Sequence, residues 1–99
     1  MKNVYVIGVF DLFHFGHVEL LRRAKELGDR LIVAINGDEM VASYKRRPFL
    51  SEQDRLEVVK ACRYVDDAFI IHEYDNKEYI KKYDIDITMH DDVDIIFFN

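Results

Sequence analysis

The sequence predicts a single α/β domain, a parallel sheet with helices on both faces. Three observations predict it. Apolar runs of strand length, rich in β-branched residues, recur at 2–8, 30–35, 68–71 and 85–89. Helical patterns lie between them, which calls for crossover connections and parallel strands. The chain has 99 residues, 49% hydrophobic and 33% charged, enough for one domain with a real core.

Each element has a local reason. Val4-Tyr5-Val6-Ile7 carries the first strand, 2–8. Val18, Leu20, Leu21, Ala24 and Leu27 fall at helical spacing, so a helix is expected over 16–27, with Gly28 placed to stop it in the left-handed conformation. The second strand, 30–35, ends at Asn36-Gly37. A polar, basic loop follows at 43–48. Ser51 reads as an N-cap, with Asp54 in the N3 place of an approximate capping box. Its helix runs through Leu56, Val59 and Cys62, and Cys62 falls on the apolar side, as a core residue. The third strand is 68–71, a short helix covers 76–83, and the fourth strand, 85–89, closes on His90-Asp91-Asp92.

Composition excludes several classes. A formal charge of −5 argues against a nucleic-acid partner. No stretch approaches the roughly 20 apolar residues of a membrane span. Met1-Lys2-Asn3 leads straight into a strand, so no secretory leader is expected. The lone Cys62 rules out an internal disulfide framework and suits a reducing, cytoplasmic compartment.

Ligands of such sheets bind beyond the carboxyl ends of the strands. Those ends carry Gly8-Val9-Phe10-Asp11-Leu12-Phe13-His14-Phe15-Gly16-His17, then Asn36-Gly37-Asp38, then His90-Asp91-Asp92. A bare H-x-x-H is a weak signal, and as a metal site it lacks a third ligand. Between a buried strand and a helix N-terminus it points to phosphate, because unpaired N–H groups and the helix dipole favour an anion there. Gly8 and Gly16 permit close backbone approach. The imidazoles can donate hydrogen bonds to developing negative charge. Lys45-Arg46-Arg47 alone reads as a solvated charge run, and Arg63-Tyr64-Val65-Asp66 as a helix end. His90-Asp91-Asp92 alone reads as a turn.

The stretch Gly8–His17 resembles the H-x-G-H signature of the cytidylyltransferases and, more distantly, the H-I-G-H motif of class I aminoacyl-tRNA synthetases. The wording G-V-F-D-L-F-H is close to the phosphocholine and phosphoethanolamine enzymes, and R-Y-V-D and H-D-D follow in order. The glycerol 3-phosphate enzymes are similar. The resemblance implies a Rossmann-like fold and an enzyme that transfers CMP from CTP to a small phospho-alcohol, releasing pyrophosphate and forming a CDP-alcohol. It implies His14, His17 and Lys45 as catalytic residues. It implies nucleotide contacts from Gly8, Val9, Phe10, Asp11, Gly16, Asp38, Arg55 and Asp92, with Asp11 more a brace of the histidine loop than a chemical group. Mg²⁺ would arrive on the nucleotide phosphates, with Asp92 as its one candidate protein contact. Arg63 and Asp66 would lie at the interface of a homodimer.

The family's next strand, last helix and R-T-x-G-I-S-[ST] motif find no match in Val93-Asp94-Ile95-Ile96-Phe97-Phe98-Asn99, so a C-terminally shortened sheet is expected. Two other readings stay open: a non-catalytic nucleotide-binding or dimerisation module, and an adenylyltransferase of the same superfamily.

Overall fold

The computed structural model describes residues 1–90. They form one four-stranded, wholly parallel sheet in the order β3-β2-β1-β4. The strands are β1 (Asn3–Gly8), β2 (Arg30–Asn36), β3 (Asp67–Ile71) and β4 (Ile87–His90). The helices are α1 (Phe15–Glu26), α2 (Asp38–Ala42), α3 (Glu52–Lys60) and α4 (Lys77–Lys82).

Alternation along each strand splits the core in two. Val4, Val6, Leu31, Val33 and Ile35 face one side, where Leu21 and Ala24 of α1 and Leu56 and Val59 of α3 cover them. Tyr5, Ile7, Ile32 and Ala34 face the other, covered by Met40 of α2, by Tyr79 of α4 and by Tyr83 at its C-terminal end. Both faces of β1 and β2 are buried, which is why these strands read as continuous apolar runs. Phe69 of β3 stacks on Tyr83 and Tyr79, with ring centroids 5.4 and 4.8 Å apart.

The chain steps outward from β1 to β2 to β3, then returns across the sheet to place β4 against the free side of β1. Strand order therefore reverses at β1. In doubly wound sheets that reversal opens a crevice at the carboxyl end, and here the Gly8–His17 segment leaves the sheet at that point.

Three details depart from the sequence reading. Gly28 is not left-handed, since no glycine has positive φ among the described residues; helix α1 ends on Leu27 in an ordinary helical conformation. A Cβ on Gly28 would stand 2.7 Å from the Lys2 carbonyl and 2.8 Å from Val4 Cγ2, so close approach to β1 is what requires glycine there. Helix α2 is an element the sequence does not announce, because five residues are too few for a periodic signal. Cys62 lies past the end of α3, partly buried against the core. The Ser51 cap holds: its hydroxyl accepts from Asp54 N at 3.2 Å. Asp91 and Asp92, and with them the expected shortening of the sheet, lie outside the described residues.

Candidate nucleotide site

After Gly8 the chain makes a strained turn. Phe10 has φ 56° and Leu12 φ 50°, the left-handed region, which costs a non-glycine residue about 1–2 kcal/mol each. Packing holds the strain: Phe10 is fully buried, against Phe13 and His17 at 6.5 and 5.7 Å between centroids. The turn delivers His14 to the N-cap of α1.

There the two histidines share one arrangement. His14 Nδ1 accepts from Gly16 N at 2.9 Å, and His17 Nδ1 accepts from His14 N at 3.1 Å. Together they close a capping box in which imidazoles stand in for the usual hydroxyl and carboxylate. The chemical consequence is a tautomer. A ring nitrogen that accepts carries no proton, so in the neutral imidazole the proton sits on Nε2. Both rings are thus built to donate from Nε2, and their centroids are 4.2 Å apart. His14 is half-buried, whereas His17 is fully buried and stacked on Phe13 at 5.2 Å. The first turn of α1 carries no acidic residue that would neutralise the positive end of its dipole.

Arg55 is the keystone of the adjoining strand ends. Its side chain has no exposed surface. Nη1 donates to the carbonyls of Val9 and Asn36, each at 2.8 Å, so one nitrogen ties the carboxyl end of β1 to that of β2. Nη2 donates to Asp38 Oδ1 at 2.7 Å, and Nε donates to the Leu50 carbonyl at 3.0 Å. The resemblance puts Arg55 on the nucleotide; in the structure its guanidinium is engaged by the buried main-chain carbonyls of Val9 and Asn36, as an internal brace. Asp38, also read as a nucleotide contact, is the counter-ion of that brace.

Asp11 is buried, and its carboxylate accepts from Phe49 N at 2.8 Å and Leu50 N at 3.0 Å. It therefore pins the far end of the basic loop onto the histidine turn, a bracing role. Glu52 was missed in the sequence: its Oε1 accepts from Asp38 N at 2.9 Å, linking α3 to the start of α2. Asn36, which the sequence places at this edge without a partner, meets Tyr44, which it does not single out. Asn36 Nδ2 donates to the Tyr44 hydroxyl at 3.1 Å. Tyr44 then lies 6.2 Å from the Tyr74 ring.

The loop between these anchors is exposed and cationic. Lys45 is exposed, with Nζ 5.9 Å from the centroid of the Tyr44 ring. Arg46 sits over Phe49 at 4.4 Å, and Arg47 pairs with Glu39. Gly8 ends β1 in register with Ile35, Gly16 supplies the N–H that His14 caps, and Val9 is held through its carbonyl. His90 ends β4 opposite Ile7, at the same edge.

Arg63 and Asp66 lie away from this edge. Arg63 is exposed over Tyr64, at 5.1 Å. Asp66, expected at an interface, is engaged within the chain: it accepts from Leu31 N at 2.7 Å and pairs with Lys25. Burial pushes its carboxyl up, but hydrogen bonds from Lys25 and Leu31 N outweigh that and leave it below the usual carboxylate range. Burial, and next the neighbouring Tyr79 and Tyr83, push the Tyr5 phenol up.

A parallel sheet flanked by helices, with a histidine-bearing loop at the point where strand order reverses, defines a Rossmann-like class of α/β domain. The comparisons with known proteins place it within that class. The cytidylyltransferase-like family model matches residues 5–97, and the chain belongs to that family. It is 43% identical over 92 residues to the ethanolamine-phosphate cytidylyltransferase of Arabidopsis thaliana, covering 90% of this chain and 22% of that protein. It is 56% identical over 69 residues to the FAD synthase of Pyrococcus horikoshii, covering 69% of this chain and 47% of that one. Against the glycerol-3-phosphate cytidylyltransferase of Bacillus subtilis it is 39% identical over 94 residues, 93% of this chain and 73% of that one. The chain thus spans about a quarter of the ethanolamine-phosphate enzymes it matches. Among solved structures, a lipopolysaccharide core biosynthesis protein from Thermoplasma volcanium superposes with a TM-score of 0.83 at 33% identity, covering 89% of this chain and 72% of that one. No helix among the described residues is long and apolar enough to cross a membrane.

Proposed function

We propose that the chain is a nucleotidyltransferase that moves CMP from CTP to a small phospho-alcohol. The observation that carries this reading is the pair of histidines whose Nδ1 atoms both accept main-chain N–H groups, which leaves Nε2 as the donor in each.

In this reaction an oxygen of the acceptor phosphate attacks the α-phosphorus of CTP. The bond from that phosphorus to the bridging oxygen breaks, and pyrophosphate leaves with the electron pair. The nucleophile is ionised at neutral pH, since its second pKa is about 6, so no general base is needed. Catalysis reduces to alignment and charge stabilisation. His14 and His17 donate from Nε2 to the α-phosphate as charge builds. The N–H groups at the start of α1 hold phosphate oxygens, and Lys45 neutralises the incoming acceptor. A side chain with no exposed surface meets a ligand only after its cover shifts, so His17 engages by a movement of the Phe10–Phe13 turn. Arg55, Asp11 and Glu52 act by keeping the strand ends and the loop in place.

Magnesium belongs to this scheme as part of the nucleotide substrate. Among the described residues no cluster of three metal-binding side chains exists. The acids at this edge are already engaged, Asp11 by two N–H groups and Asp38 by Arg55. With their carboxylates engaged in this way, Asp11 and Asp38 do not hold an ion. Contacts from Asp92 and a homodimer through Arg63 remain proposals from the family resemblance.

The deciding experiment is pyrophosphate release with Mg²⁺ and CTP against phosphoethanolamine, phosphocholine and glycerol 3-phosphate. Release with CTP and one of them supports the reading. The likeness to an FAD synthase favours one rival, transfer of AMP from ATP, and an arm with ATP and flavin mononucleotide discriminates it. Saturable CTP binding with no release under any arm would leave a binding module.

A further inference from the structure

Only two buried side-chain polar atoms among the described residues have no hydrogen-bond partner, Asn3 Oδ1 and Asn36 Oδ1. An unmade hydrogen bond at a buried acceptor costs about 1–3 kcal/mol. Asn3 sits at the amino end of β1, where its amide nitrogen bonds the Tyr83 and Asp84 carbonyls and closes the end of α4. Asn36 sits at the opposite end, the last residue of β2, on the edge that gathers the site.

The rest of Asn36 is fixed. Its main-chain carbonyl is held by Arg55, and its Nδ2 donates to the Tyr44 hydroxyl. Tyr44 is half-exposed and directly precedes Lys45, the cation assigned above to the acceptor phosphate. Across from it the Tyr74 hydroxyl is bound to Ser43 Oγ at 2.6 Å. The Tyr44 hydroxyl thus ties Asn36 to the residue before Lys45, and because Asn36 Oδ1 has no exposed surface a headgroup meets it only after its cover shifts, as at His17.

We infer that Asn36 is a specificity-determining residue, whose Oδ1 accepts a hydrogen bond from an N–H or O–H donor on the headgroup of the phospho-alcohol. This rests on the cytidylyltransferase reading and narrows it. A primary ammonium or a hydroxyl satisfies the oxygen. A trimethylammonium has no N–H, so it enters only by leaving the oxygen orphaned while adding three methyl groups. A site built to bond a substrate donor rejects the analogue that lacks it far better than an apolar pocket rejects extra bulk.

The test compares kcat/KM for phosphoethanolamine, glycerol 3-phosphate and phosphocholine with CTP. Calorimetric binding of CTP, CDP-ethanolamine, CDP-glycerol and CDP-choline runs alongside. The expected result is a preference of at least about tenfold for one or both donor-bearing headgroups over the trimethylated one, in turnover or in product binding. The two donor-bearing arms separate an ammonium from a hydroxyl. Asn36→Leu is expected to collapse that preference while the affinity for CTP is kept. Equal binding of all the products, a preference for choline, or a ratio unchanged in Asn36→Leu overturns the inference. If that variant does not fold, the wild-type series alone decides. Loss of CTP binding itself is the separate signature that the cytidylyltransferase reading has failed, and the inference falls with it.

Discussion

His17 Nδ1 receives the backbone N–H of His14 at 3.1 Å, so the second histidine of the motif caps the first. Under the proposed mechanism, turnover and folding are coupled at that bond. His14→Asn keeps a good N-cap and removes the Nε2 donor. Turnover is expected to fall about 10²–10³-fold, the usual cost of one transition-state donor, with little change in urea midpoint. His17→Ala is expected to lose turnover and stability together, because it empties a buried site beneath Phe13. Steady-state rates and denaturation curves on both variants check this; normal rates in both would remove the histidines from the mechanism.

Arg55→Ala should cost about 3–5 kcal/mol of stability, the range for breaking a buried charge pair. It strands Asp38 and leaves the Val9 and Asn36 carbonyls without their shared donor. Arg55→Lys should recover only part, since one ammonium cannot span carbonyls on two strands and a carboxylate. Urea unfolding measures both. A loss below about 1 kcal/mol in Arg55→Ala would show that Arg55 is no brace.

Lys45→Ala should leave the fold intact, as the side chain is exposed. The expected effect is about ten- to hundredfold in kcat/KM for the acceptor, the worth of one charged hydrogen bond to phosphate. Unchanged acceptor kinetics would reduce Lys45 to surface charge.

Asp66 gives a pH-dependent prediction. Its carboxyl titrates lower in the folded chain than in the unfolded one, so the folded state favours its ionised form. The stability it contributes is present above the unfolded value of about 3.9 and is lost as pH falls through the folded value. Asp66→Asn should therefore narrow the loss of stability below about pH 4. Urea midpoints between neutral and acid pH read the effect; parallel curves for the two proteins would contradict it.

Gly28→Ala should destabilise by about 1–3 kcal/mol, because the new methyl meets the fixed Lys2 carbonyl and the Val4 side chain. A left-handed glycine would respond in the same direction, but Gly28→Asn separates the causes. Asparagine tolerates left-handed backbone and should fare no better than alanine here.

The order of elements was legible because both faces of β1 and β2 are buried and an apolar run has no other use in a chain of this length. The histidine motif was legible because its position between strand and helix is written in adjacent residues. The roles of Arg55, Asp38 and Asp66 were not. Each acts on partners far along the chain, such as Val9 for Arg55 and Leu31 for Asp66. Charge at a surface-like position says nothing of where a carbonyl 46 residues away will stand.

By itself the sequence determined a parallel α/β sheet, with two imidazoles at the start of a helix, and pointed to the carboxyl edge as the candidate site. Those depend on periodicity and local order, which neighbouring residues carry. Tertiary structure decided which nitrogens of those imidazoles donate, which arginine is a brace, and which amide oxygen is left without a partner. Those depend on hydrogen bonds between strand ends and loops, which exist only once the sheet has brought β1, β2 and the start of α3 together.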